Sequence, residues 1–499
     1  MQCFLGSMET KQLILTPEGA NEIERQYRIV KRSVDARQRD LKVLLTVLVD
    51  EKGCMIPKDA PIPLYEPPLF QHVRDGGKGT VKIVGAGPAG LFAALTLLEH
   101  GYKPVIYERG KDVSSRKRDI ARLNQNKGLN TESNYCFGEG GAGTFSDGKL
   151  FSRSKKRGNM QRVMELFHYF GASDNILYEA HAHIGSDKLP GIIRRMRECI
   201  VEHGGEVHFD AKWDIRNEDG KTPVILAIGH SAHDTYRELA AAGVQMEAKG
   251  CAMGVRVEHP QSLINRLMYH LKGKSDEQQR QLTSLVGNAS YQLVTQVDGQ
   301  GVYSFCMCPG GHIVPAGSDS DGCVVNGMSA SHRNSPYANS GIVVEMHPAG
   351  SALEALDYQE HLEHLAKANG GNEAQAPAQR LKDFVEGKAS KSLPPCSYLP
   401  GIIPSRLDEW LPREIGERLR QGFLDFDRKY PGFVTNDAVV VGVESRSSSP
   451  VRIVRNDAMQ SVSHPWLYPC GEGAGYAGGI TSSAMDGIRA ANSICEASQ

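Results

Sequence analysis

The chain has 499 residues, with 57 Lys and Arg against 58 Asp and Glu. At about 150 residues per domain this suggests roughly three domains and room for a large core. Hydrophobic residues at 40%, charged residues at 23% and a net charge of −1 exclude a disordered chain and a surface built throughout for nucleic acid or anionic lipid.

The opening MQCFLGSMETK has no charged segment followed by an apolar one, so no signal peptide is expected. Residues 1–75 read as a small N-terminal α+β domain. Residues 21–40 are polar and basic and predict a helix leading into a strand over Leu41–Val49. The proline-rich stretch Pro57–Pro68 reads as a linker, and Gly76–Gly79 as a joint. No apolar run approaches the roughly 18–20 residues that span a bilayer, so no membrane partner is expected. Eleven cysteines without a CxxC pair read as reduced thiols, which predicts a cytoplasmic protein.

From residue 76 the pattern becomes strand, glycine turn, helix, strand. Val81–Val84 is the first strand, Pro88–His100 an apolar helix and Pro104–Tyr107 the second strand. Gly85, Gly87 and Gly90 stand between strand and helix as GxGxxG. Gly85 permits the tight turn, Gly87 lets backbone approach a pyrophosphate, and Gly90 lets helix pack on strand. Pro88 and Ala89 open the helix, whose free N–H groups would receive phosphate. Glu108, with Arg109 after it, closes the second strand where a carboxylate can accept ribose hydroxyls. The order of these parts predicts a dinucleotide site.

Further along, 160–170, 191–203, 233–242 and 261–271 read as helices. Residues 206–209, 224–228, 252–257 and 439–443 read as strands, and the alternation predicts an α/β fold. The middle, about 250–435, is less regular. A second glycine cluster, 137–149, reads as a cradle for pyrophosphate and a flat ring, with Gly140, Gly141, Gly143 and Ser146 as its contacts. The strand 224–228 ends at Gly229 and resembles the strand-to-glycine element that returns past the same nucleotide in FAD-dependent oxidoreductases. Near the end, Leu467–Ile480 is a short strand, then Gly471 and the carboxylate of Glu472, then Gly479 and Ile480 opening an apolar helix. This resembles the C-terminal flavin motif of FAD-dependent oxidoreductases, in which the helix start faces the part of the flavin that gains negative charge. The 81–109 motif, the strand ending at Gly229 and this C-terminal segment together predict one bound FAD.

Long strings in order also carry a resemblance. They include RIVKRSVDAR (28–37), the 81–109 motif, FGEGGAGTFSDGKL (137–150), GVRVEHPQ (254–261), GVYSFCMCPGG (301–311), GVESRSSSPVRI (442–453) and PCGEGAGYAGGI (469–480). From residue 28 to the end the chain resembles a family of bacterial FAD-dependent dehydrogenases of largely uncharacterised substrate. The resemblance implies a Rossmann-like, glutathione-reductase-type FAD domain with an inserted α+β substrate domain. The boundaries expected are 76–157, 191–249 and 436–499 for FAD binding, 158–190 for a cap or substrate segment and 250–435 for the substrate domain. One departure is the short stretch 210–223, where related flavoproteins carry a longer β-meander; an accessory sheet should be reduced or lost.

The flavin would carry the redox step, transferring hydride between its N5 and an organic substrate. No second GxGxxG is present, so a nicotinamide, NAD(P)H, would dock only transiently. Cys136 has no partner thiol close by, which argues against a disulfide reductase of the usual kind. Candidate substrate-side residues are Arg446, which could bind an anionic substrate or pair with Glu444 or another acid, and His183, two residues from His181. Cys306 and Cys308 form CxC, with Cys308 the candidate thiol, and Tyr476 could lie over the ring. Arg256 and Glu258 share a strand face and could pair. No metal set is apparent. Lys31, Arg32, Arg37 and Arg39, and Arg153 with Lys155 to Arg157, form two basic clusters. An FAD monooxygenase and a flavin-containing RNA-modifying protein with 1–75 as its nucleic-acid module remain as alternatives.

Overall fold

The computed structural model describes residues 9–38, 40–60, 67–73, 75–151 and 158–497. Arg39, Arg153, Lys155, Lys156, Arg157 and part of the 57–68 linker lie outside them.

One half of the molecule is built on a five-stranded parallel sheet. Its strand order is Leu467–Pro469, Val224–Leu226, Thr80–Val84, Lys103–Tyr107 and Glu206–His208. The helix Pro88–Glu99 starts with proline at its first turn and is apolar all round, and residues 89–98 are all buried. It is buried on every side because the long helix Ile480–Ala497 packs across it. That crossing is close: a Cβ at Gly487 would stand 2.0 Å from the Ala89 carbonyl oxygen. Residues 209–223 hold no strand, only a short turn at Ile215–Asn217. Trp213 and Ile215 are buried there against Val224, Leu226 and Tyr236. The indole N–H of Trp213 donates to Glu218 at 2.7 Å, and Glu218 pairs with Lys82 at 2.8 Å, so the shortened segment closes on the sheet.

The second half is a seven-stranded sheet in the order Val294–Val297, Gln300–Cys308, Tyr337–Met346, Cys251–Pro260, Val439–Glu444, Ala376–Arg380 and Ile402–Pro404. Every neighbouring pair is antiparallel except the last. Helix Arg413–Lys429 covers one face with Ile415, Leu419, Phe423 and Phe426. These recur at three and four residues, the spacing of one helical stripe.

Within the expected 158–190 segment, Val163, Phe167, Phe170, Ile176 and Ile184 belong to the core beneath the parallel sheet. Two expected boundaries need correction. The strand Val439–Glu444 belongs to the seven-stranded sheet, paired with Cys251–Pro260, so the chain returns to the parallel-sheet half after residue 444 rather than at 436. The helix expected over 21–40 is instead helix Pro17–Gln26 followed by strand Ile29–Asp35. Thr16 caps that helix by accepting from Gly19 N–H at 3.2 Å, and Pro17 starts it.

The N-terminal domain is a three-stranded antiparallel sheet, Glu9–Leu15, Lys42–Val49 and Ile29–Asp35, with one helix. Val43, Leu45, Val47 and Val49 alternate inward and join the same core as Ile264 and Val286. The described basic residues are partly neutralised: Arg32 pairs with Glu24 at 2.7 Å and Arg37 with Asp35 at 2.7 Å.

One core residue gives the fold an acid limit. His259 is fully buried; its Nε2–H donates to the Phe433 carbonyl at 2.9 Å, and Nδ1 has no partner. Burial pushes its pKa down from 6.5 to about 4. Between those values the unfolded chain binds a proton that the folded chain does not. Stability should therefore fall by about 3 kcal/mol as pH drops from 6.5 to 4. Urea denaturation of wild type and His259→Gln across this range checks it; the glutamine variant should lose about 3 kcal/mol less of its stability on acidification.

Candidate active site

A cleft of about 370 Å³ opens along the carboxyl edge of the parallel sheet. The strand ends reach it in turn, through Val84 and Gly85, Tyr107 to Arg109, Ala227 to Gly229, and Cys470 to Glu472. This is where open parallel sheets bind nucleotides. The opposite wall comes from the seven-stranded half, through Phe305, Cys306, Asn326, Arg446 and Ser447.

The glycines fall into two groups. Gly85 has φ +100, and a Cβ there would lie 2.4 Å from the Ala227 oxygen; a Cβ at Gly90 would lie 2.0 Å from the Gly85 oxygen. These two keep strand, turn and helix in contact. A Cβ at Gly87 would meet only the Gly141 Cα, at 3.8 Å, and Cβ atoms at Gly229, Gly478 and Gly479 would meet nothing within 4 Å. These four keep space open in the cleft. Helix Pro88–Glu99 has no side-chain cap at its N-terminus, so its first N–H groups remain available to an anion. An open glycine cradle with an uncapped helix start fits the pyrophosphate of FAD.

Glu108 is buried, and its carboxylate is already committed to backbone. One oxygen accepts from Ala86 N–H at 2.8 Å; the other accepts from Gly110 and Gly138 N–H, each at 2.9 Å. It thus ties three loops together, leaving room for one further donor such as a ribose hydroxyl. Arg109 also lines the cleft. Its guanidinium is held by Glu132 and Asp234, both at 2.8 Å, and lies 4.3 Å from the Phe137 ring centre.

The second glycine loop is organised by a residue the sequence did not single out. Arg116 is fully buried and donates to the carbonyl oxygens of Asn134, Tyr135, Gly138 and Glu139 at 2.8–3.1 Å. Burial without a carboxylate partner pulls its pKa down to about 10. Gly140 has φ +81 and sits against Thr144, while Gly141, Gly143 and Ser146 line the cleft. Across from them, the Glu472 carboxylate accepts from His230 Nδ1 at 3.1 Å. Burial pushes Glu472 up, but the His230 contact and nearby cations prevail and hold it below the ordinary value. Gly471, Gly479 and Ile480 line the same end.

Arg446 is buried on the wall that the seven-stranded half contributes. It makes a two-pronged contact with Glu363, at 2.9 and 2.7 Å, and donates to Ser318 at 2.7 Å. Its acid is therefore Glu363 rather than Glu444. Glu444 instead pairs with Arg256 at 2.6 Å, so the expected Arg256–Glu258 pair is not made. Burial pushes Glu444 up to about 7 against the pull of Arg256. Glu258 turns to Ser397, whose N–H donates at 2.7 Å. Arg256 lies so close to the backbone of Gly327 that a Cβ there would stand 2.2 Å from its Nη2.

Three tentative catalytic positions stand off the cleft. Tyr476 is absent from its lining; its ring lies 3.7 Å from the Arg455 guanidinium carbon, and its oxygen accepts from Arg455 N–H at 3.3 Å. His183 donates through Nε2 to the Ser331 carbonyl at 3.1 Å and does not line the cleft. Cys308 is fully buried behind the wall. Of this pair Cys306 lines the cleft, as Cys136 and Cys470 also do, and a bulge in strand Gln300–Cys308 that gives Cys306 φ +45 turns it there. Beside both sulfurs lies Lys149, another residue the sequence reading passed over. Its ammonium is 3.7 Å from Cys306 Sγ, 3.5 Å from Cys308 Sγ and 2.8 Å from Asp147. Arg333 pairs with Asp147 at 2.7 Å. Among the described residues no cluster of His, Cys, Asp and Glu fits a metal, and no helix is long and apolar enough to cross a membrane.

Residues 250–447 match a family described as FAD-dependent protein, C-terminal domain-like. Residues 83–140 match an NAD(P)-binding Rossmann-like domain, and 11–50 a domain of unknown function. Among solved structures, a glycine oxidase from Bacillus cereus is 11% identical, with 84% of this chain and 95% of that one covered and a TM-score of 0.29. A PltM halogenase in complex with FAD is 10% identical, with 84% and 70% covered and a TM-score of 0.38. An uncharacterised protein of Clostridium beijerinckii is 40% identical over 516 aligned positions, covering 97% of this chain and 94% of that protein. With that match along nearly the whole chain and the FAD-dependent match over its second half, the protein belongs to a family of FAD-dependent proteins.

Proposed function

We propose that the protein is an FAD-dependent oxidoreductase that moves a hydride between flavin N5 and an anionic organic substrate bound between its two sheets. The observation that carries this reading is the two-sided cleft, with a glycine cradle on one wall and the cations of Lys149 and Arg446 on or beside the other. When bound, FAD supplies the two-electron chemistry.

This chain's own residues divide the remaining work. Gly87, Gly229, Gly478 and Gly479 leave the room that a dinucleotide needs. Glu108 and Arg116 hold the two glycine loops in place from behind. The Glu472 carboxylate and the start of helix Ile480–Ala497 border the flavin end of the cradle. Arg446 is oriented by Glu363 and Ser318, and Lys149 by Asp147, so the substrate wall presents cations in fixed positions. Fixed cations recognise a carboxylate or phosphate without reorganising on binding. NAD(P)H would enter the same cleft, since only one glycine fingerprint is present.

The test is the visible spectrum of purified protein before and after heat release. Intact FAD should appear in the supernatant. Anaerobic mixing with a panel of organic acids, phosphorylated compounds, NADH and NADPH should then bleach the flavin only with an anionic member. Uncharged alcohols or amines acting better would reject the anionic substrate. A colourless protein that fails to take up FAD would reject the oxidoreductase reading.

A further inference from the structure

The cleft wall holds a pair of thiols to which hydride transfer to a carbon substrate gives no role. Cys306 and Cys308 lie two residues apart on strand Gln300–Cys308, where side chains at that spacing share a face. A regular strand would separate their Cα atoms by about 6.5 Å, near the upper limit for a disulfide. Here the strand is not regular. The pairing with Tyr337–Met346 shifts register between Phe305 and Cys308, and Cys306 takes φ +45. The kink brings Cys306 to the cleft and leaves Cys308 buried behind it.

Charge around the pair favours one thiolate. Lys149 Nζ lies within 3.7 Å of one sulfur and 3.5 Å of the other. Arg256 Nη2 donates to the Cys306 carbonyl at 2.6 Å and approaches Cys308 Sγ at 3.8 Å. Asp147 and Glu444 balance those cations without touching either sulfur at hydrogen-bond range. The contact from Cys308, with Lys149 and Arg256, holds the Cys306 thiol well below its ordinary value despite burial, while Cys308 is held above. A thiolate at the open position beside a thiol behind it is the arrangement that thiol–disulfide exchange requires.

We propose that Cys306 and Cys308 are a redox-active dithiol that exchanges two electrons with FAD in this cleft and meets a small thiol or disulfide substrate at Cys306. This rests on the reading of the cleft as the flavin site. In the oxidising direction Cys306 enters as thiolate and Cys308 as thiol. The S–S bond forms and the Cys308 S–H bond breaks. Two electrons and that one proton pass to oxidised FAD, leaving it as the reduced anion. In the reverse direction the pair would take two electrons and a proton from the reduced cofactor, breaking the S–S bond; the Cys306 thiolate then attacks a disulfide substrate and expels its first thiolate, and the Cys308 thiol displaces the second, which leaves with the Cys308 proton.

The experiment is an anaerobic dithionite titration of the oxidised holoenzyme, with thiols counted by maleimide trapping and peptide mass at each end. Wild type should accept four electrons per FAD, two into flavin and two into the disulfide. The peptide carrying both cysteines should take up no maleimide before reduction and two after it. Cys306→Ser and Cys308→Ala should each accept two electrons and show no mass change. Dithiothreitol should bleach the wild-type flavin and leave that of Cys306→Ser oxidised. A yellow wild-type protein that takes only two electrons, with both thiols free throughout, overturns the dithiol and leaves the flavoprotein reading standing. A protein without FAD overturns both.

Discussion

Gly87→Ala is expected to fold like wild type and to bind FAD about ten- to a hundredfold more weakly, a loss of about 1.4–2.8 kcal/mol. The backbone at Gly87 has φ −76, which alanine adopts without strain, and the added methyl meets nothing nearer than 3.8 Å. Apoprotein stability should therefore change by less than about 1 kcal/mol, with the lost flexibility of the unfolded chain partly offsetting a poorer cap. The methyl enters the cleft where the pyrophosphate would approach the backbone. Gly90→Ala should behave in the opposite way. Its methyl would stand 2.0 Å from the Gly85 oxygen, backbone on backbone with no flexible side chain to give. A loss of about 3 kcal/mol or more of fold stability is expected. Urea unfolding of the two apoproteins, followed by FAD titration monitored by flavin fluorescence, separates the cases. If Gly87→Ala binds FAD as tightly as wild type, the cradle does not hold the cofactor.

That contrast also shows what the sequence could disclose. Strand, glycine turn, helix and acidic strand end lie within residues 80–108, so their geometry follows from local rules and was legible. The second half was not legible because its neighbours are distant in sequence. Cys251–Pro260 pairs with Val439–Glu444, and Arg446 finds Glu363 rather than its neighbour Glu444. No spacing rule reports such partners. Buried Arg116 left no signal either, since its acceptors are main-chain carbonyls. Cys306 and Cys308 were visible as a pair, but the choice between them was made by a one-residue bulge that the alternation of a strand cannot foretell. Tyr27 shows the same limit at short range, where a polar, basic run breaks from helix into strand.

Glu108 carries the largest predicted effect of a single side chain. Glu108→Ala should lower apoprotein stability by about 4 kcal/mol, because it leaves the Ala86, Gly110 and Gly138 N–H groups without their buried acceptor. Those three groups belong to three different loops around the cleft, so FAD binding should fall with the fold rather than independently of it. Glu108→Gln is the informative partner. Its amide oxygen can still accept from Gly110 and Gly138, but its NH2 then faces the N–H of Ala86, donor against donor. That variant should lose about 1–2 kcal/mol of stability, with the damage concentrated at the Gly85–Gly87 turn. FAD affinity should drop about tenfold in a protein that still unfolds cooperatively. Hydrogen exchange at Ala86, Gly110 and Gly138 measures the split directly: only the first should exchange faster in Glu108→Gln, and all three in Glu108→Ala. Equal acceleration at all three sites in both variants would show that the negative charge, and not the positions of the two oxygens, holds the loops together.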